Sequence, residues 1–296
     1  MSEPAPRVTC IIIFLNEESF LREAIESVLS QGEQGFELLL VDDGSADASG
    51  TIARSFADAH PGKVRYLTHP GGVNRGMSAS RNLGLTHARG EFVAFLDGDD
   101  TWLPGKLAVQ LDLFDQFPEA AMICGATIYW RQWNGSGSEA EDDVVPVGAP
   151  ADKLYRPPEL MSLLYPLWLG ASPSMSGLIV RRRTLEAIGG FDERFRGLYE
   201  DQVFKTKIYL EAPVYVSSLC FDRYRQHPQS CVHEASASGK RDAIRGEFLA
   251  WFADYVAARP QTPARILRRL KRVRLRYRYP RLHRVWQAIR TGQISR

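Results

Sequence analysis

The chain has 296 residues, of which 44% are hydrophobic, 24% charged and 10% aromatic. This is ordinary globular usage with enough length for a large buried core, and it excludes a wholly disordered, collagen-like or low-complexity chain. The formal net charge of +2 is unevenly spread: 13 of the 37 Lys and Arg, and none of the 35 Asp and Glu, fall in residues 255–296, so a basic tail follows an acidic body.

Met1–Arg7 carries two prolines and a glutamate and does not read as a signal peptide. Val8–Phe14 is a β-branched apolar run, too short for a membrane span and suited to a buried strand. Ser19–Leu29 has helical spacing. Phe36–Val41 is a second strand, followed by Asp42-Asp43-Gly44-Ser45 and a helix over Ala46–Ala57. Val64–Leu67 is a third strand, Ser78–His87 a helix, and Phe92–Leu96 a fourth strand. Continuous apolar strands alternating with amphipathic helices predict an α/β fold with a mostly parallel sheet covered on both faces. Ligands of such sheets sit at the carboxyl ends of the strands.

Beyond Asp100 the rhythm loosens. Lys106–Phe117 reads as a helix and Ala121–Trp130 as a strand, with a mobile Gly-, Ser- and acid-rich loop over Trp133–Asp152. Leu160–Val180 is uncharged and long enough to span a bilayer. Pro166, Pro173, Gly170, Gly177 and four serines oppose that, and the expectation is a helix end, a loop, then a buried strand over Ser176–Val180. Glu200–Leu210 is helical, Val214–Leu219 is a strand, and Arg241–Ala258 is an amphipathic helix before the basic tail. Cys10, Cys124, Cys220 and Cys231 form no CxxC pair, which predicts reduced thiols and a cytoplasmic location.

The strongest local signal is Asp97-Gly98-Asp99-Asp100 at the end of the most hydrophobic strand. Crowded carboxylates are costly unless a cation or strong donors neutralise them, and carboxylate oxygens suit Mg²⁺ or Mn²⁺. A solvated acidic turn is the plainer reading of an arbitrary DxD; position at a strand end favours the metal. Asp42-Asp43 could accept from a nucleobase or ribose, or simply form a turn and helix cap. No GxxxxGK[ST] occurs, and the first strand ends in Phe14-Leu15-Asn16-Glu17 and not in GxGxxG, which excludes a P-loop enzyme and argues against a dinucleotide fold.

Six segments occur in order: VTCIIIFLNEE (8–18), FELLLVDDGSAD (36–47), GMSASRNLGLTHARGEFVAFLDGDD (76–100), GLIVRRRTLEAIGGFDERF (177–195), YEDQVF (199–204) and YRQHPQS (224–230). Together they resemble glycosyltransferase family 2, whose members are inverting enzymes of GT-A fold. The resemblance implies a metal-dependent transfer of a sugar from a nucleotide-diphosphate donor, UDP-linked, to the hydroxyl of a glycan, lipid-linked or other acceptor. Asp43 would contact the base, the backbone of Ile13–Leu15 would line its pocket, and Glu17 and Arg81 would face the nucleotide. Asp99 would ligate Mn²⁺ or Mg²⁺, Asp97 would lie near the ribose or the metal, His227 would be a further metal or diphosphate ligand, and Asp201 would be the catalytic base. The family's tyrosine before Asn16 is here Leu15. Trp168–Met175 and the 133–152 loop are the expected acceptor region.

The expected organisation is a GT-A catalytic domain over residues 1–235 and a helical, strongly basic extension over 236–296. Arg265, Arg268, Arg269, Arg272 and Arg276 recur near helical spacing with Ile266, Leu267, Leu270, Val273 and Leu275. Such a helix either lies on an anionic membrane as a peripheral anchor or packs on the acidic catalytic domain. Nucleic acid is not the expected partner. The rivals are a nucleotidyltransferase, disfavoured by the missing glycine-rich phosphate loop and lysine, and a nucleic-acid- or membrane-binding protein that acts through the basic tail with a non-catalytic sugar-nucleotide domain.

Overall fold

A computed structural model describes residues 5–32, 35–134, 141–228, 230 and 241–278. Cys231, the 235/236 boundary, residues 135–140 of the acidic loop and residues 279–296 of the tail lie outside the described residues.

The predicted alternation is present. Strands β1 (Val8–Phe14), β2 (Phe36–Asp42), β3 (Val64–Thr68) and β4 (Phe92–Asp97) run parallel in the order β3-β2-β1-β4. Every residue of β1 and β2 is buried, as expected for strands covered on both faces. Helices α1 (Leu21–Leu29), α2 (Ser49–Ala59) and α3 (Met77–His87) supply the cover. The register sets Phe14 opposite Asp42, and Ile13 opposite both Val41 and Asp97. The chain therefore leaves β1, β2 and β4 at one edge of the sheet, which gathers Asn16–Glu17, Asp42–Asp43 and Asp97–Asp100.

Two short β5 residues (Thr101–Trp102) lead into α4 (Lys106–Gln116) and the long strand β6 (Met122–Trp130). Strand β9 (Ile179–Arg181) is antiparallel to both β4 and β6 and joins them. It precedes α5 (Arg182–Ala187) and α6 (Glu200–Glu211). Strand β10 (Val214–Arg225) lies parallel to β6. It runs six residues past the strand end expected at Leu219, because register shifts between Val216 and Asp222 let the bent strand resume its pairing. Gly125 sits at that bend; a Cβ there would lie 2.3 Å from the Leu219 carbonyl oxygen, so only glycine fits.

Two expectations need correction. The acidic loop is not wholly irregular: Asp143–Val145 forms β7 on the edge of β6, tied by an Arg131–Asp143 ion pair of 2.6 Å, while β8 (Lys153–Tyr155) pairs with β10. The expected helix end near Leu160 is a single 3₁₀ turn, Leu160–Ser162. No helix among the described residues is long and apolar enough to cross a membrane.

Helices α7 (Arg241–Ala257) and α8 (Ala264–Arg278) follow. Phe248, Leu249, Phe252, Val256, Ile266 and Leu270 are buried in the same apolar core as Val203, Phe204 and Ile208 of α6. The apolar side of the tail helix thus packs inward, and its basic residues face elsewhere.

Candidate active site

The gathered strand ends floor a cleft of about 1040 Å³. Ile13, Leu15, Glu17, Asp43, Asp97 and Asp99 line one part of it, and Glu200, Asp201 and Lys205 another. Asp99 and Asp201 thus open on one cavity, although 102 residues apart in sequence.

The three acids after β4 have three different fates. Gly98 N–H donates to the Ile13 carbonyl at 3.0 Å and Asp100 N–H to the Asp97 carbonyl at 3.1 Å, which closes a tight turn. Asp100 is buried and structural: it accepts from Ser176 Oγ at 2.7 Å and from the Arg225 backbone amide at 3.0 Å. Arg225 completes the latch. Its Nε donates to the Asp99 carbonyl at 2.7 Å, its Nη2 reaches Glu23 at 2.6 Å, and its guanidinium lies 4.3–5.2 Å from the rings of Phe20, Trp130 and Trp133. Asp99 is thereby aimed at His227, whose Nε2 is 3.0 Å from Asp99 Oδ2.

Asp97 faces Arg81 of α3 at 2.6 Å. The other arm of Arg81 meets Glu200 at 2.7 Å. Arg81 is only 1% exposed and does not line the cleft, so it lies behind the wall that the sequence reading had it face from. It joins the strand-end acids to the start of α6, a role the isolated S-R-N segment does not reveal.

The α6 wall begins at Tyr199, held in the left-handed region (φ 72°), with its hydroxyl 2.5 Å from that of Tyr165. Asp201 follows in the first helical turn. Lys205, one turn on, donates to Asp201 Oδ2 at 2.7 Å, and Gln202 donates to both carboxylate oxygens. Burial alone would raise the Asp201 carboxyl, but Lys205 and Arg81 with these hydrogen bonds outweigh it and hold it below the usual range. It is a carboxylate at neutral pH.

At the opposite end, the β1 exit is knitted to the β2 exit: Glu17 N–H donates to Ser49 Oγ and Ala46 N–H to Asn16 Oδ1, both at 2.8 Å. Asp43 accepts from the backbone amides of Arg75 and Gly76 at 2.7–3.1 Å. Its carboxylate therefore shapes the Pro70–Gly76 loop while still lining the cleft. Asp42 is turned away onto Gly44, Ser45 and Tyr66.

The cleft carries more negative charge than the protein neutralises. Burial, then Asp99 and Asp97, push Glu17 up to about 8. Burial raises Asp97 despite Arg81, and raises Asp100 strongly with Asp99 and Asp97 adding to it. Glu200 is pushed up to about 7 chiefly by burial. No three His, Cys, Asp or Glu among the described residues form a ready metal cage. The donor set nonetheless fits a cation that binds together with a diphosphate: an Asp99 carboxylate beside the His227 imidazole, whose Nδ1 is buried without a hydrogen-bond partner, in a site short of positive charge. Mg²⁺ and Mn²⁺ characteristically take one or two protein ligands and fill the rest of their shell with phosphate oxygen and water.

Of the sequence-proposed residues, the structure brings Ile13, Leu15, Glu17, Asp43, Asp97, Asp99 and Asp201 onto one cleft, with His227 touching Asp99 and Arg81 touching Asp97. Leu169–Met175 and Val145–Val147 line the same cavity. Sequence reasoning gave no role to Glu200, Lys205 or Arg225. Lys205 was findable, since it lies four residues after Asp201 on a helix; the contacts of Glu200 and Arg225 are long-range.

The family model described as Glycosyl transferase family 2 matches residues 9–176. Minor teichoic acid biosynthesis protein GgaA of Bacillus subtilis (strain 168) is 28% identical over 239 residues, which cover 78% of this chain and 50% of that protein. The chain thus spans about half the length of that relative. Among solved structures, S. aureus TarS 1–349 in complex with UDP-GlcNAc superposes with a TM-score of 0.65 at 21% identity, over 89% of this chain and 70% of that one. Mannosyltransferase PcManGT from Pyrobaculum calidifontis, in complex with GDP-Man and Mn²⁺, gives 0.59 at 17% identity over 92% and 70%. The shared architecture is the GT-A fold that the six segments implied.

Proposed function

Because this chain belongs to glycosyltransferase family 2, we propose that it moves a sugar from a nucleotide-diphosphate donor to an acceptor hydroxyl with inversion, in the assembly of a teichoic-acid-like polymer, polysaccharide or other glycoconjugate. The observation that carries this reading is the opening of Asp99 and Asp201 onto one cleft. Ile13, Leu15 and Asp43 hold the base, and the UDP-GlcNAc complex of TarS favours uracil. Arg81 opposes the burial that raises Asp97 and holds its carboxyl turned to the donor. Asp99 and His227 would hold Mn²⁺ or Mg²⁺, which when bound supplies Lewis-acid stabilisation of the leaving diphosphate. The Mn²⁺ complex of PcManGT supports a divalent ion.

Asp201 takes the proton from the acceptor oxygen as that oxygen attacks the anomeric carbon opposite the diphosphate. Such general-base assistance contributes about 10²–10⁴-fold. The charge of Lys205 keeps Asp201 unprotonated before attack, at the cost of some basicity. Displacement from the face opposite the leaving group inverts the anomeric centre, and no enzyme nucleophile is required. The acceptor lies along Val145–Val147 and Leu169–Met175. The catalytic unit runs over residues 1–235 with the basic extension seated on it, and the free Cys10, Cys124 and Cys220 fit a cytoplasmic location, peripheral to a membrane.

Thermal unfolding with a panel of UDP, GDP and their sugars, with and without Mn²⁺, tests this. Saturation at about 100 times Kd adds ~2.7 kcal/mol to stability. UDP species are expected to raise the midpoint more than GDP species, and more with Mn²⁺ than without. No shift with any nucleotide diphosphate in the presence of metal would sink the reading.

A further inference from the structure

Helix α8 has two unlike sides. Ile266 and Leu270 face the core, whereas Leu267, Lys271 and Leu275 recur every fourth residue along the outward side. Leu267 and Leu275 are 41% and 47% exposed. Arg265, Arg268, Lys271 and Arg272 surround them, all exposed, and none forms an ion pair among the described residues. A cationic helix that packs on an acidic protein would be expected to pair its charges there; this one points them away.

The second observation is the segment beside it. Leu169, at 98% exposure, is the most open large apolar side chain among the described residues, and it lies on the rim of the cleft. Arg269 ties this segment to α8: its Nε donates to the Leu167 carbonyl at 2.7 Å, and its guanidinium lies 5.6 Å from the Trp168 ring centre. Leucines in the open, set among unpaired cations, match a partner that has a negative surface over an apolar interior. A phosphate polymer in water offers the first and not the second.

We propose that the outward side of α8 and the adjoining Trp168–Leu169 segment form a docking surface for an anionic lipid bilayer, with Leu169, Leu267 and Leu275 entering the headgroup layer. Interfacial helices of mixed basic and apolar character bind this way. Docking there brings the cleft rim to the bilayer, so that a lipid-borne acceptor would meet Asp201; only this last consequence rests on the transferase reading.

The test is flotation of the full chain with phosphatidylcholine vesicles, with and without phosphatidylglycerol, at low and high salt. Each basic residue near an anionic surface is worth about fivefold in partition. The Arg268→Ser/Arg272→Ser double variant is therefore expected to bind phosphatidylglycerol vesicles about 25-fold more weakly. Leu169→Ser/Leu267→Ser should lose about tenfold or more, with the residual binding still salt-sensitive. All four residues are outside the core, so unfolding midpoints should match the parent's and exclude misfolding as the cause. The proposal is overturned by absence of binding to anionic vesicles at low salt, by unchanged binding of either double variant, or by RNA duplex binding that leaves vesicles unbound. The Mn²⁺–UDP thermal shift is read separately, so loss of the surface and loss of the donor site are distinguishable.

Discussion

An Arg81→Met substitution keeps the stem of a side chain that is 1% exposed and removes the charge joining Asp97 to Glu200. Removing one member of a buried ion pair costs about 3–5 kcal/mol, because the partners stay buried and uncompensated. At roughly 2–4 °C per kcal/mol for a chain of this size, the unfolding midpoint should fall by about 6–20 °C. The pH dependence separates this cause from lost packing. Glu200 already sits near 7, raised by burial against the opposing pull of Arg81, and without the guanidinium it rises further. A carboxyl whose folded pKa lies above its unfolded one loses stability as pH climbs from the unfolded value through the folded one. Through Glu200, the gap between parent and variant should therefore be level from pH 5 to about pH 7 and widen from there towards pH 8, by up to ~1.4 kcal/mol per pH unit for one proton. Denaturant titrations at several pH values measure it, and Arg81→Met/Glu200→Gln should recover part of the loss at pH 8. An equal gap at pH 5 and pH 8, or a midpoint change within about 2 °C, would refute the bridge.

Asp201→Asn should lower transfer about 10²–10⁴-fold with donor affinity nearly unchanged; near-normal turnover removes Asp201 from the base role. In the parent, the acid limb of the rate profile should lie below the usual carboxylate range, because Asp201 is held down there. Lys106 is 1% exposed and burial brings its ammonium down to about 7 from 10.5. Its folded pKa is below its unfolded one, so its penalty is full below pH 7 and fades towards pH 10.5; parent stability relative to Lys106→Met should rise between pH 7 and 9, and a flat difference would contradict the burial effect. Gly125→Ala forces a Cβ to 2.3 Å from a backbone oxygen and should cost about 1–3 kcal/mol in equilibrium unfolding.

The sheet was legible where local signals and tertiary packing agree. Val8–Phe14, Phe36–Asp42 and Phe92–Asp97 are apolar on both faces because they are covered on both faces, and that pattern is visible before any contact is known. Residues 143–145, 153–155 and 220–225 were missed for the opposite reason. Asp143–Val145 is short and largely exposed in an acid-rich stretch, and becomes a strand only because the edge of β6 offers it hydrogen bonds. The end of β10 mixes exposed and buried residues without a regular period beyond an irregular stretch, which hides its continuation. The tail helix was legible as a helix, but which of its leucines face inward depends on α6 and α7.

The site shows the same divide more sharply, because its side chains are chemically alike. Asp97, Asp99 and Asp100 stand within four positions, and nothing local tells them apart. Their partners come from elsewhere: Arg81 from α3, His227 from beyond β10, and Ser176 with the Arg225 amide from segments more than 75 residues away. Asp100 is spent on fixing the turn, which leaves Asp99 free to face the cleft with an imidazole beside it, while Asp97 is bound to a cation that also holds Glu200 at the foot of α6. The acid that ends β4 and the acid beside the expected base are thus oriented by one guanidinium. If that guanidinium sets the spacing between donor and acceptor walls, Arg81→Lys, which keeps the charge but cannot reach both carboxylates in a fork, should preserve nucleotide binding better than transfer. Equal loss of both would mean that Arg81 serves the fold alone.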